Sequence, residues 1–106
     1  MLKINSAEVF NFAKMVEYQP GSIVSREIIQ KDSGTITVFA FDAGQALSEH
    51  KAPFDALVYI LDGEAKVSID QNLFPVKQGE MIILPVDVVH ALKAEERFKM
   101  VLVMIR

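Results

Sequence analysis

Only two side chains in the 106 residues combine a near-neutral pKa with a lone pair: His50 and His90, the chain's sole histidines. An imidazole can act as a general base at neutral pH, ligate a metal, or make a polar contact to a bound molecule. With no cysteine in the sequence, a thiolate nucleophile, a thiolate metal site and a disulfide framework are all excluded. Three carboxylates lie near the histidines in sequence: Glu49 next to His50, Asp87 three residues before His90, and Asp55 after the Ala52-Pro53 step. Alternate side chains on an extended backbone point to opposite faces, so Glu49 and Asp87 are expected to turn away from the imidazoles. Asp55 remains as a candidate third donor, because Pro53 bends the chain and resets the alternation. Met81, Met100 and Met104 carry soft thioethers, but methionine on a β-rich chain ordinarily packs a core. The sequence contains no nucleophile elbow, phosphate loop or acid pair.

The elements that must position these groups read as strands. Thr35–Phe41 (TITVFAF) is rich in β-branched and aromatic residues, and comparable runs occupy Ser22–Gln30, Ala56–Leu61, Ala65–Ile69, Met81–Leu84, Val88–Leu92 and Phe98–Ile105. Turn signals separate them at Lys31–Gly34, Asp62-Gly63, Asp70–Asn72 and Gln78-Gly79. Many short strands at this spacing indicate a sandwich or barrel. The one helical candidate is Ser6–Val16, where Ser6 can cap and Val9, Phe10, Ala13 and Val16 recur at helical spacing; a strand over Glu8–Phe12 is the alternative. One domain is expected, with residues 1–20 as an N-terminal segment and residues 21–106 as the barrel.

Two runs break the usual apolar-in, polar-out alternation. Ala56–Leu61 is apolar on both faces; Phe98–Ile105 carries Phe98, Met100, Leu102 and Met104 on one face and Val101, Val103 and Ile105 on the other. Both faces of such strands need cover. One lines the barrel interior; the other calls for a second layer, from a homodimer packing sheet on sheet or from the chain's own N-terminal segment.

The spacing of glycines, proline and histidines resembles the two consecutive motifs of the cupin family. In the first, Gly44 is followed by five residues and His50, and Gly63 closes the motif; in the second, Gly79 is followed by five residues, Pro85 and His90. The resemblance covers Gly44 to Ala94 and implies an all-β fold, a double-stranded β-helix (jelly-roll) barrel. It further implies that His50 and His90 point into one cavity, where a cupin holds a divalent metal. Ala52 stands at the second histidine position, Ala56 at the glutamate position, Asp87 at a glycine and Ala94 at an asparagine. The ligand set is thus short, with His50, His90 and at best Asp55 for a zinc, nickel, manganese or iron ion. In compensation the alanines leave an apolar pocket, lined by His50, Ala52, Ala56, Val58, Ile60, His90 and Ala94, of the kind that holds a small molecule.

Composition narrows the partners. Hydrophobic residues make up 51% of the chain and the net charge is −3, with lysines and arginines scattered, which argues against a nucleic-acid surface. No apolar run reaches membrane-spanning length, and the sequence MLKINSAEVF lacks a signal-peptide core, so a cytoplasmic protein is expected. Three functions fit: a small-molecule binding module; a metal-dependent isomerase or dioxygenase with an atypical site; and a metal-free epimerase or isomerase with a histidine base, for which Asp55 and Tyr59 are the available partners.

Overall fold

The computed structural model describes residues 4–106; Met1–Lys3, the start of the N-terminal segment and one of its scattered cations, lie outside it. Eight strands follow a single 3-10 turn at Phe12–Lys14: β1 (Ile23–Lys31), β2 (Gly34–Phe41), β3 (Ala46–His50), β4 (Asp55–Ile69), β5 (Asn72–Lys77), β6 (Met81–Leu84), β7 (His90–Lys93) and β8 (Phe98–Ile105). All pairings are antiparallel, and the order β1-β2-β8-β4-β7-β3, with β5 and β6 also on β4, curls one sheet into a jelly roll.

β4 is the spine. Its first half pairs with β8 and β6, its second half with β7 and β5. The expected turn at Asp62-Gly63 is a bend inside this 15-residue strand, where the register to β8 shifts between Ile60 and Asp62. Gly63 has φ +75, and a β-carbon there would sit 2.3 Å from the Arg97 carbonyl oxygen. Glycine at this point therefore makes a bulge instead of a chain reversal, and carries the strand from one leaf of the barrel to the other.

The leaves meet over one core. Ala56, Val58, Ile60, Phe41, Phe98 and Met100 from one side pack on Ala65, Val67, Val76, Leu92 and Ala94 from the other, with the Phe41 and Phe98 rings stacked at 4.5 Å. The even-numbered face of β8 thus fills the interior.

Its other face is covered in part by the N-terminal segment. Val16 and Tyr18 of the N-terminal segment pack with Val38, Ala40, Leu61, Val101 and Val103. The Tyr18 hydroxyl donates to Asp62 at 2.6 Å, Arg97 lies 4.5 Å from its ring centre, and Lys99 donates to the Ala13 carbonyl. Burial, then the Asp62 carboxylate, raises the Tyr18 pKa well above its ordinary value, so the phenol stays a donor. Beyond this clasp, Ile29, Tyr59, Met81, Ile83 and Ile105 stay exposed on the single chain.

The helix expected over Ser6–Val16 is absent apart from its 3-10 turn. Val9 is fully exposed, Phe10 and Phe12 are exposed, and Ala7 has φ +60. Without a buried stripe, a segment this short does not offset the cost of helix nucleation. β3 and β5 were not legible as strands. β3 (ALSEH) has little β-branched character, and β5 (NLFPVK) contains Pro75, which is tolerated because β5 pairs with β4 alone and is a sheet edge.

Candidate functional site

The two histidines meet as direct cross-strand neighbours on β3 and β7. A bulge makes this possible. Leu47 pairs with Leu92 but His50 pairs with His90, so β3 spends three residues where β7 spends two. Leu92 and His90 share the inward face of β7, and strict alternation from inward Leu47 would have turned His50 outward. The extra residue reverses the parity and delivers both rings to one point.

There the Nε2 atoms lie 3.0 Å apart, with ring centres at 4.3 Å and planes inclined at 71°. Each Nδ1 is held by the chain's own backbone: that of His50 lies 2.8 Å from the Ser48 carbonyl, that of His90 3.2 Å from the Val88 carbonyl. A carbonyl oxygen only accepts, so each Nδ1 carries the proton and donates. With no second proton on either ring, both Nε2 atoms would then present lone pairs to each other; a proton on one of them makes the contact an N–H···N hydrogen bond. Two acceptors at 3.0 Å repel unless a proton or a cation lies between them.

His90 is 5% exposed and is the only buried polar or charged residue among those described, whereas His50 is exposed. Burial, and after it the neighbouring His50, push the His90 pKa below the ordinary imidazole value, opposed by the Val88 carbonyl.

The imidazoles open on a cavity of about 50 Å³ lined by Leu47, Ala52, Ala56, Leu84, Leu92, Leu102, Met100 and Met104. At Ala52 the cavity wall is tied to the segment after β6 by a bond from the Asp87 amide to the Ala52 carbonyl. Of the expected pocket residues, His50, His90, Ala52 and Ala56 line the cavity. Val58 and Ile60 share the face of Ala56 but lie deeper, fully buried in the core. Ala94 also sits in the core, four residues beyond His90 and so roughly 13 Å further along the strand direction. Its amide is bonded to the Gln45 carbonyl at the far end of β3.

Asp55 is not with the histidines. Pro53 does not reset the alternation as expected: Ala56 faces inward, and Asp55 lines an outer depression of about 310 Å³ with Leu57, Ile83, Val103 and Ile105. Glu49 lies on the rim of a second outer groove. Tyr59 and Met81 pair with one another on the outer side of β4 and β6, both exposed. Neither imidazole lines these two wider depressions, although Leu47, Leu92 and Ala56 border both them and the histidine cavity.

Sequence reasoning missed Leu47, Leu84, Leu92 and Leu102 as lining residues, although the inward parity of Leu102 and the two methionines was readable. The β3 bulge had no sequence signal.

No group of three or more histidine, aspartate or glutamate side chains that could hold a metal occurs among the described residues. The divalent centre implied by the cupin resemblance needs a further imidazole and a carboxylate, and methyl groups of Ala52 and Ala56 face the cavity instead. The residues present do not fit a hard divalent ion.

Comparison with known proteins agrees with this architecture. Residues 37–106 match the cupin domain model (Cupin_2), and the chain belongs to that family. The fold is shared with a conserved protein of unknown function from Streptococcus pyogenes: TM-score 0.93 and 37% identity, covering 99% of this chain and 92% of that one. A cupin 2 conserved barrel domain protein from Leptotrichia buccalis is 47% identical at TM-score 0.90 over 92% of this chain and 47% of its own. Among curated proteins, polyketide synthase CurC of Streptomyces cyaneus is 28% identical over 72 residues, 65% of this chain. The chain spans about half the length of that relative, 47%. No helix among the described residues is long and apolar enough to cross a membrane.

Proposed function

We propose that this protein is a cupin binding module whose site is the His50–His90 pair. It holds its ligand through the two Nε2 atoms, with the apolar lining enclosing the rest. The observation that carries this reading is the 3.0 Å approach of two lone-pair nitrogens whose Nδ1 atoms are both committed to backbone carbonyls. The cavity admits a group of few heavy atoms. A ligand of ordinary metabolite size would insert one polar group and rest its remainder on the rim. Chemistry has little support here: an epimerase base wants an orienting carboxylate and a partner acid, and Asp55 and Tyr59 both lie outside the cavity.

The binding unit is a homodimer in this reading, with a second copy covering the face where Tyr59, Met81, Ile83 and Ile105 are exposed.

Nuclear magnetic resonance of protein labelled with ¹⁵N-histidine tests the site. Ammonium, methanol and phenol serve as probes, each a small donor. Both Nε2 resonances should move together along one saturable curve, and the response should vanish in His90→Gln. Rings that respond independently, or not at all, would remove the basis for a shared site.

A further inference from the structure

The outer face of the β1-β2-β8-β4-β6 sheet carries an apolar projection at one end and an apolar hollow at the other. We propose that the N-terminal arm Glu8–Phe12 of one copy seats in the hollow of a second copy, and reciprocally, so that exchange of arms closes the homodimer. The inference rests on the reading of a second copy over this face and names the segment that covers it.

The projection is the arm. Its sequence, Glu-Val-Phe-Asn-Phe, suits an extended strand, and Asn11 is extended at φ −99 and ψ 118. Yet the arm joins no sheet of its own chain, and Val9, Phe10 and Phe12 are all exposed. Three large apolar side chains on so short a segment, none of them buried, call for cover from elsewhere. The arm is nevertheless fixed at its base. The Lys99 ammonium donates to the Ala13 carbonyl at 2.5 Å, Val16 packs on Val101, and the Tyr18 hydroxyl donates to Asp62. These contacts hold it at the Lys99 end of β8.

The hollow is the depression of about 310 Å³ lined by Asp55, Ala56, Leu57, Ile83, Val103 and Ile105. It lies at the opposite end of the same face, where Leu57 pairs with Val103 and Ile83, and Asp55 pairs with Ile105. Along β8, Ile105 is about 20 Å from Lys99.

A projection and a hollow on one chain pair between copies either in an open head-to-tail series or in a closed twofold. Their places favour the twofold. Between them runs the row Val101, Tyr59 and Met81, with Tyr59 and Met81 exposed. A twofold axis through this row, perpendicular to the sheet, exchanges the two ends of the face. Both arms then meet both hollows at once, and no end is left to add a third copy.

Area and charge agree. Five strands at about 4.8 Å and eight residues at about 3.4 Å give a face of roughly 650 Å², and the arm extends it toward the roughly 800 Å² per partner that a stable dimer buries. The arm carries Glu8 beside Val9. At the other end, Lys31 and Arg106 line the groove that adjoins the hollow at Val103 and Ile105, and they outnumber the single carboxylate of its lining, Asp55.

A chain without cysteine makes the contact directly readable. Two single-cysteine variants, Val9→Cys and Ile83→Cys, are co-expressed with tags of different size and treated with a short bis-maleimide, so that every link joins two copies. The mixed pair should link in high yield. Val9→Cys with Leu73→Cys, exposed on β5 of the other leaf, should not. Val9→Ser/Phe10→Ser/Phe12→Ser removes only exposed apolar groups; it should keep the circular dichroism of the natural protein and weaken dimerisation at least tenfold in analytical ultracentrifugation. A dimer that neither links through Val9 nor weakens in the triple variant would overturn the arm assignment and leave the second copy over the face, which Ile83→Lys tests separately. Species larger than two copies would overturn the closed twofold. A natural protein that stays monomeric at high concentration would remove the dimer reading and the arm exchange with it.

Discussion

His90 is buried beside another imidazole, and its pKa is lowered on folding. The unfolded chain, with an ordinary value near 6.5, therefore binds the proton more readily than the native state does. Its contribution to stability is complete above that pH and is lost as pH falls below it, down to the folded value. Melting temperature should accordingly drop as pH falls below about 6.5 in the natural protein. The part of that drop due to this ring should be missing in His90→Gln, and identical profiles would assign the acid sensitivity elsewhere. Ala52 and Ala56 offer a second test at this scale. Both face the cavity, so Ala52→His/Ala56→Glu adds an imidazole and a carboxylate beside the existing pair. Affinity for zinc or nickel should rise by orders of magnitude, and the metal should raise the melting temperature through linkage. Calorimetric titration decides; no gain would mean these positions do not converge on the histidines. Much of this was legible in the sequence, since glycine and proline spacing located both histidines. The error over Asp55 came from treating Pro53 as a parity reset, whereas the parity reset that matters is the bulge before His50.

At the scale of elements, two irregularities hold the site in place. The bulge between Leu47 and His50 sets which way His50 points. Deleting Ser48 should remove the bulge and leave His50 inward opposite His90, because two residues then lead from Leu47 to His50 as two lead from Leu92 to His90. The two rings' ¹⁵N resonances should still respond together, and separate responses would show that the bulge itself aims the ring. The Gly63 bend passes β4 between leaves. Gly63→Ala meets both a positive φ and the Arg97 carbonyl, and should cost about 2 kcal/mol or more in denaturant unfolding. A neutral effect would show that the bend tolerates a side chain. The N-terminal clasp is weaker: Tyr18→Phe removes the Asp62 hydrogen bond and should cost about 1 kcal/mol. Asp62-Gly63 looks like a turn in sequence because asparagine, aspartate and glycine serve bulges and reversals by the same local conformations. Only the tertiary pairing of β4 with β8 separates the two.

For the whole molecule, the doubly apolar strands Ala56–Leu61 and Phe98–Ile105 already indicated a need for outer cover. The structure divides that cover, since Val16 and Tyr18 take one part and Ile29, Tyr59, Met81, Ile83 and Ile105 remain in solvent. A second copy closing over this face should give twice the chain mass of 11.8 kDa by light scattering at micromolar concentration. Ile83→Lys should return the monomer with its fold intact, and a natural protein that stays monomeric at high concentration would leave the face to another partner. The need for outer cover was readable because strands apolar on both faces cannot be satisfied by a single barrel wall; a second copy and the N-terminal segment were both open as its source, and the N-terminal segment supplies part of it.

At the centre of the molecule stands one juxtaposition, the Nε2 atoms of His50 and His90 meeting 3.0 Å apart at a single cavity. Long-range proton–nitrogen correlation on ¹⁵N-histidine protein, without any ligand and at a pH above the imidazole range, reports each ring's tautomer and whether the rings are close. The account predicts both rings as the Nδ1-protonated form, with through-space contacts between them. Rings found as Nε2-protonated tautomers, or without contact, would contradict it.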